Sequence, residues 1–213
     1  KAVIARTVSA NVQLAMVDTP ATKTKKRKED AVVLQSLKMN FLESMATGLD
    51  PESKIRAPIQ EMRYSAVPHY KASKAVALGE ARGKLVWYSL SHGHLVTNLL
   101  NSKVSFGGLK FIDGEMIRAA DLSGLDLGYK LVMIDGCCSA MTERLDKFCV
   151  VLGQVYNGPE KLAARNNNDL VEECMDFADA FGGDSAYVGW AWVMNPATAQ
   201  GWMSEFLSNL KGG

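Results

Sequence analysis

The sequence predicts an α/β fold in which a mostly parallel central sheet carries helices on both faces. Strand-like and helix-like segments alternate along most of the 213 residues, as they do in sheets built from crossover connections. The segment "YKLVMID" at 129–135 is apolar on both faces, which is typical of a central parallel strand. The ordinary composition, 47% hydrophobic and 22% charged, indicates a single folded, soluble domain over 1–213.

The amino-terminal third contains two short strand-like segments, "AVIA" and "VQLAMVD", followed by a basic stretch. Apolar residues then recur at helical spacing, which predicts a helix over 30–48 with Asp30 as its N-cap. Three prolines indicate irregular structure over 49–68.

The middle of the chain alternates more clearly. The patterns predict a helix over 70–80, a strand over 84–90, a hairpin over 103–112 that turns at Gly107 and Gly108, and a short helix capped by Asp113.

The remaining third continues the alternation after the central strand. We expect a strand at 147–153, a helix at 168–183, a strand at 185–193 and a closing helix at 198–210.

Cysteine usage bears on the compartment. The chain has four cysteines, none of them in a CxxC pair. We therefore expect no disulfide framework, and we expect a reducing, cytoplasmic setting. Secretion after removal of a leader that preceded Lys1 is the less favoured alternative. No signal peptide is visible, and no apolar stretch approaches the roughly 20 residues that span a bilayer.

Two predicted strands end in residues capable of covalent chemistry. One runs into "SHGH" at 91–94 and the other into "DGCCS" at 135–139. Functional groups of parallel sheets gather where the strands end at their carboxyl termini. If the two strands are neighbours, an imidazole can take the proton of a thiol and activate it as a nucleophile.

These motifs resemble those of the caspase-like cysteine peptidases, a group that includes caspases, metacaspases, gingipains, legumains, separases and CHAT domains. The quoted pattern is "LVWYSLSHG" followed by "LVMIDGCCS", and it places a cysteine 45 residues after a histidine, against about 50 in caspases. The resemblance covers roughly 70–210 and implies a three-layer sandwich. It implies His92 as the base and Cys137 as the nucleophile.

The resemblance also suggests further roles. The backbone N–H groups of Gly93 and Cys137 would form an oxyanion hole. Asp135 would line the primary specificity pocket and favour arginine or lysine, because a carboxylate pairs with basic side chains. Asp184 would add to that pocket, and Trp190 or Trp192 would form an apolar wall.

Plainer interpretations stand beside these. Asp135 would equally serve as a local hydrogen-bond acceptor at the strand end, and tryptophans are more often core than pocket. Cys138 is expected to pack as a small apolar residue. His92 and His94, with the two adjacent cysteines, suggest a zinc site as a weaker alternative.

The run "KTKKRK" at 23–28 carries five positive charges in six residues. A solvated loop is the ordinary interpretation, with a weak phosphate-binding patch or a self-processing site as functional ones. No aromatic residue interleaves the run, so the sequence does not favour nucleic-acid binding.

The sequence thus predicts a cysteine endopeptidase that acts on a peptide or protein substrate and needs no metal or other cofactor. The alternative from another functional class is a non-catalytic caspase-like scaffold or a partner-activated sensor module.

Overall fold

A computed structural model describes the chain over residues 2–6, 30–37, 52–98, 103–144, 169–171, 177–182 and 184–211. Among these residues no helix is both long enough and apolar enough to cross a membrane.

The central sheet has six strands in the order β1-β11-β8-β4-β2-β3. Five of them are parallel, and β1 pairs antiparallel with β11 at one edge. The strands of this sheet are β1 (Ala2–Arg6), β2 (Ala31–Gln35), β3 (Ala66–Tyr70), β4 (Val86–Leu90), β8 (Leu131–Asp135) and β11 (Ala186–Trp190). The predicted α/β class with a mostly parallel sheet is confirmed.

A second, smaller sheet has the order β10-β5-β6-β7, and β9 pairs with β6 outside that path. It starts directly after β4, since only Ser91 separates β4 from β5. Its strands are β5 (His92–Asn98), β6 (Lys103–Lys110), β7 (Met116–Arg118), β9 (Thr142–Arg144) and β10 (Asp169–Val171).

Helical segments cover both faces of the central sheet. Their bounds are a π-helical turn at Glu52–Arg56, α1 (Ala57–Glu61), α2 (Lys74–Gly79), α3 (Ala119–Leu122), a 3₁₀ turn at Asp179–Phe181 and α4 (Pro196–Lys211).

Strand alternation divides the core between two faces. One face packs on α1 and α4 through Ile59, Met203 and Leu207. The other face packs on α2, α3 and the second sheet. It contains an aromatic cluster around Phe181, whose ring centroid lies within 6.2 Å of those of Trp87, Tyr129, Phe177 and Tyr187. Both faces of β8 are therefore buried, as its apolar sequence predicts.

The predicted helix over 30–48 is wrong where the structure describes it, because Ala31–Gln35 is a strand. Its first four residues are all buried, so both faces of the strand pack in the core. A short apolar run fits a buried strand and a buried helix equally well by periodicity, and the adjacent β-branched Val32 and Val33 favour the strand. Residues 36 and 37 are in neither a helix nor a strand, and residues 38–48 of that predicted helix lie outside the described residues.

The predicted hairpin over 103–112 is also wrong, because β6 runs straight through both glycines. A β-carbon at Gly107 would lie 2.2 Å from Val96 Cγ1, and one at Gly108 would lie 2.1 Å from the Ile117 carbonyl oxygen. The glycines therefore permit close packing against β5 and β7 rather than a turn. The pairing of β5 with β6 also slips by one residue at this point, as in a β-bulge.

Three other predictions need correction. The segment predicted as irregular over 49–68 is largely regular where the structure describes it, from residue 52, since it contains α1 and the start of edge strand β3, where Pro68 is tolerated. The helix predicted over 70–80 begins only at Lys74, after the N-cap Ser73. Residues 169–171 form a strand rather than the start of a helix.

The segment after Asp113 also differs from expectation. Asp113 accepts hydrogen bonds from the backbone of Lys74 and Glu115, so it fastens the loop to α2 instead of capping a helix. Met116–Arg118 is a strand, and the predicted short helix is confirmed only over its last four residues, α3 (Ala119–Leu122).

Other predicted elements have clear outcomes. The strands at 2–5, 84–90, 129–135 and 185–193 and the closing helix are confirmed within a few residues at their ends. The predicted strands at 12–18 and 147–153 lie outside the described residues, as does the basic run 23–28.

Candidate active site

The two chemically capable strand ends lie side by side. Strands β4 and β8 are parallel neighbours, with Leu90 opposite Asp135. The pairing continues one step further, because the Ser91 N–H donates to the Asp135 carbonyl oxygen over 3.1 Å. His92 and Cys137 therefore emerge from adjacent strands at the carboxyl edge of the sheet, which is the edge where such sheets place their ligands.

Gly93 is the point of closest approach between these two strand ends. A β-carbon at this position would lie 2.0 Å from the Cys137 carbonyl oxygen and 3.1 Å from the Phe106 ring. A real side chain is therefore excluded by the backbone of the cysteine turn. Gly136 is less crowded on its side, with a β-carbon position 3.2 Å from the Ser91 carbonyl oxygen and 3.5 Å from the Gly93 nitrogen.

Accessibility differs among the four His and Cys side chains of the two motifs. The His92 residue is exposed and Cys137 is half-buried, so solvent reaches both. Cys138 is buried among Val104 and Met141 and retains only 5% exposure. His94 is half-buried further along β5.

Cys137 and Cys138 occupy a turn rather than an extended strand. Cys138 has φ +59°, a left-handed conformation that is uncommon for a residue with a side chain. Burial, and then the neighbouring Cys137, raise the pKa of the Cys138 thiol to about 12. Cys138 is therefore protonated and shielded, whereas the Cys137 sulfur faces the segment after β11, with 4.0 Å between its Sγ and the Met194 carbonyl oxygen.

Asp135 lies beneath the turn with no exposed surface. Its carboxylate accepts one hydrogen bond from the Tyr88 hydroxyl over 2.9 Å and another from the Trp190 indole N–H over 2.8 Å. Burial raises the pKa of Asp135 to about 7, although the hydrogen bonds from Trp190 and Tyr88 act in the opposite direction. Burial and the charge of Asp135 likewise raise the pKa of Tyr88 well above its ordinary value.

The remaining predicted site residues are divided between two edges of the sheet. Trp192 lies next to the cysteine turn, because its carbonyl oxygen accepts the Cys138 N–H over 3.0 Å. Trp190 is buried, with 6% exposure, and points toward Asp135. Asp184 precedes the first residue of β11 and is exposed at the amino edge, about 17 Å from the turn across a five-residue strand. The structure does not bring Asp184 to the cysteine.

Sequence reasoning missed three residues that shape this region: Tyr88, Ser139 and Tyr187. Tyr88 shares a face with Asp135, because β4 and β8 pair with Leu90 opposite Asp135 and side chains alternate along each strand. Ser139 was visible as the last residue of "DGCCS" but was given no role. Its hydroxyl donates to the Ile134 carbonyl oxygen over 2.8 Å and accepts the Trp190 N–H over 2.9 Å.

The described part of the chain contains no set of metal ligands. Within these residues no group of three or more His, Cys, Asp or Glu side chains is close enough to hold an ion.

Comparison with known proteins gives no assignment. No model of a known protein family matches the sequence, and no curated protein is significantly similar to it.

Proposed function

We propose that the chain is a cysteine endopeptidase of caspase-like architecture, in which Cys137 is the nucleophile and His92 the general base. The observation that supports this most directly is the contact between the two strand ends at Gly93. That contact keeps the exposed His92 and the accessible Cys137 at neighbouring strand ends on one edge of the sheet.

In the proposed reaction, His92 takes the thiol proton as the Cys137 sulfur bonds to the carbonyl carbon of the scissile peptide. The peptide C–N bond then breaks, and the imidazolium returns the proton to the leaving amine. Water hydrolyses the resulting thioester and regenerates the thiol. We assign stabilisation of the tetrahedral oxyanion to the backbone N–H groups of Gly93 and Cys137.

Cys137 is a better nucleophile candidate than Cys138 on two grounds. Cys138 is buried, and its raised pKa leaves little thiolate at neutral pH. Cys137 is accessible, and Trp192, whose carbonyl oxygen accepts the N–H of the next residue, Cys138, is the side chain that we assign to the wall of the substrate site.

A preference for arginine or lysine enters the proposal through Asp135. A basic side chain would have to reach a carboxylate that has no exposed surface and already accepts two hydrogen bonds. Asp184 is not included, since it lies at the other edge of the sheet. Basic specificity is therefore a separable part of the proposal.

The proposal is tested with thiol-reactive peptidyl probes that carry arginine, lysine or leucine next to the reactive group. We expect covalent labelling at Cys137, identified by mass spectrometry, with labelling reduced at least about 100-fold in His92→Ala. His94→Ala is the matched control and should retain most of the labelling.

Labelling of Cys138 instead, or equal labelling of the wild type and His92→Ala, would contradict the assigned pair. A protein that is inert to all three probes yet forms a stable complex with another protein would favour the scaffold alternative. Faster labelling by the leucine probe than by the basic probes would remove Asp135 from the specificity site and leave the dyad in place.

A further inference from the structure

The turn that carries Cys137 is fastened to β11 by a group of buried hydrogen bonds. The peptide unit between Ser139 and Ala140 is held at both ends. Its carbonyl oxygen accepts from the Tyr187 hydroxyl over 2.8 Å, and its N–H donates to the Trp190 carbonyl oxygen over 2.9 Å. The orientation of this peptide is therefore set by β11 rather than by the turn itself.

Close packing supports the same attachment. Strand β11 has a glycine, Gly189, where the turn crosses it, and a β-carbon there would lie 2.8 Å from Ser139 Oγ and 3.1 Å from the Ala140 nitrogen. Tyr187 is 1% exposed, so its hydroxyl bond to the turn is shielded from water. In such surroundings an unpaired carbonyl oxygen is destabilising, because it cannot regain the lost hydrogen bond from water.

These bonds hold the turn in an unfavourable backbone conformation. Cys138 is held at φ +59°, and this left-handed conformation is strained for a residue with a side chain. The Cys138 N–H is bonded to the Trp192 carbonyl oxygen, and the Ser139–Ala140 peptide is bonded as described. Both sides of the strained residue are thus fixed by partners outside the turn, and Cys137 directly precedes it.

We propose that Tyr187 is a positioning residue for Cys137, acting through its hydroxyl bond to the Ser139 carbonyl group. Without that bond the Ser139–Ala140 peptide loses one of its two anchors and the turn relaxes from its strained form. The Cys137 thiol then departs from its position at the strand edge that also carries His92. The catalytic part of this inference rests on the proposed function, whereas the structural part does not.

A matched control exists on the same face of the sheet. Tyr129 is also buried, donates over 2.7 Å to the Ala81 carbonyl oxygen, and lies beside the same ring of Phe181. Each tyrosine thus bonds a carbonyl group 48 residues away in sequence. Tyr129→Phe removes an equivalent buried bond far from the cysteine turn.

The experiment compares Tyr187→Phe with Tyr129→Phe by amide hydrogen exchange. We expect the amides of Ala140 and Met141 to exchange about five- to tenfold faster in Tyr187→Phe, and at the wild-type rate in Tyr129→Phe. Peptide hydrolysis should lose about tenfold in kcat with KM unchanged in Tyr187→Phe only. Ser139→Ala is the second variant and should change both measurements in the same direction.

Equal exchange at the turn in the two tyrosine variants overturns the inference, and so does faster exchange with unchanged kcat. If the wild type hydrolyses no peptide, the proposed function fails by itself. The exchange comparison then still decides whether Tyr187 holds the turn.

Discussion

The two edges of the central sheet contain the same kinds of hydrogen bond, but the bonds surround different groups. At the amino edge, Tyr129 donates to the Ala81 carbonyl oxygen, and the Ser185 hydroxyl lies 2.7 Å from the Tyr129 carbonyl oxygen and 2.8 Å from that of Phe181. At the carboxyl edge, Tyr187 and Ser139 form the corresponding bonds.

What differs between the edges is the chemistry that these bonds enclose. The carboxyl edge has a buried carboxylate at Asp135, a left-handed cysteine at Cys138 and a glycine at Gly93 that touches the opposite backbone. At the amino edge the bonds join loops and a β-strand start around aromatic core side chains. Similar bonds join loops around the aromatic core at one edge and hold a turn that contains the left-handed Cys138 at the other.

Substituting one glycine at each edge tests this difference most strongly. Gly93→Ala places a methyl group 2.0 Å from the Cys137 carbonyl oxygen, whereas Gly128→Ala at the amino edge meets nothing within 4 Å. We expect Gly93→Ala to lose at least about 3 kcal/mol in the free energy of unfolding, as overpacking in a close contact does. Gly128→Ala should stay within about 1 kcal/mol of the wild type.

Urea unfolding followed by tryptophan fluorescence measures both values. Similar stability of the two variants would mean that the strand ends at Gly93 can separate freely, and the contact that supports the proposed dyad would lose its significance.

Thiol reactivity distinguishes two adjacent residues within the carboxyl edge. Because burial raises the pKa of Cys138 to about 12, we expect a neutral alkylating reagent at pH 8 to modify Cys137 at least about 100-fold faster. Peptide mapping of quenched samples gives both rates. Denatured protein is the control, in which the two rates should converge; comparable rates in the folded protein would contradict the buried, shielded position of Cys138.

The pH dependence of stability tests the buried carboxylate. The folded-state pKa of Asp135 is raised to about 7 from the ordinary 3.8, so the folded protein holds a proton that the unfolded chain has released. Its stabilising contribution is fully present below about pH 4 and is lost as the pH rises to about 7. In that window the free energy of unfolding falls by about 1.4 kcal/mol for each pH unit, when the pKa values of the folded and unfolded states are well separated.

Asp135→Asn is the matched variant, since its amide can accept from the Trp190 indole and donate to the Tyr88 oxygen in the same places. The difference in unfolding free energy between wild type and variant should change between pH 4.5 and 7 and level off above it. A difference that does not vary with pH would place the carboxylate in contact with water.

The sequence was informative where local patterns and short motifs decide the structure. The doubly buried strand at 131–135 followed from its uninterrupted apolar run, and the two reactive motifs could be placed at strand ends. It was uninformative for Ala31–Gln35, where the same kind of run fits a helix, and for Gly107 and Gly108, whose role lies in contacts with other strands.

Strand order and burial, in contrast, depend on contacts between residues far apart in the chain. Only the assembled sheet places β4 beside β8, so that Gly93 meets the Cys137 backbone, and only it leaves Asp184 at the far edge. Both partners of the Asp135 carboxylate, and the Trp190 N–H that the Ser139 hydroxyl accepts, come from strands 47 to 55 residues away. Residue types and their spacing indicate which chemistry is available. Long-range packing decides which groups meet and how far their pKa values are shifted, because burial and hydrogen bonding are properties of the folded chain.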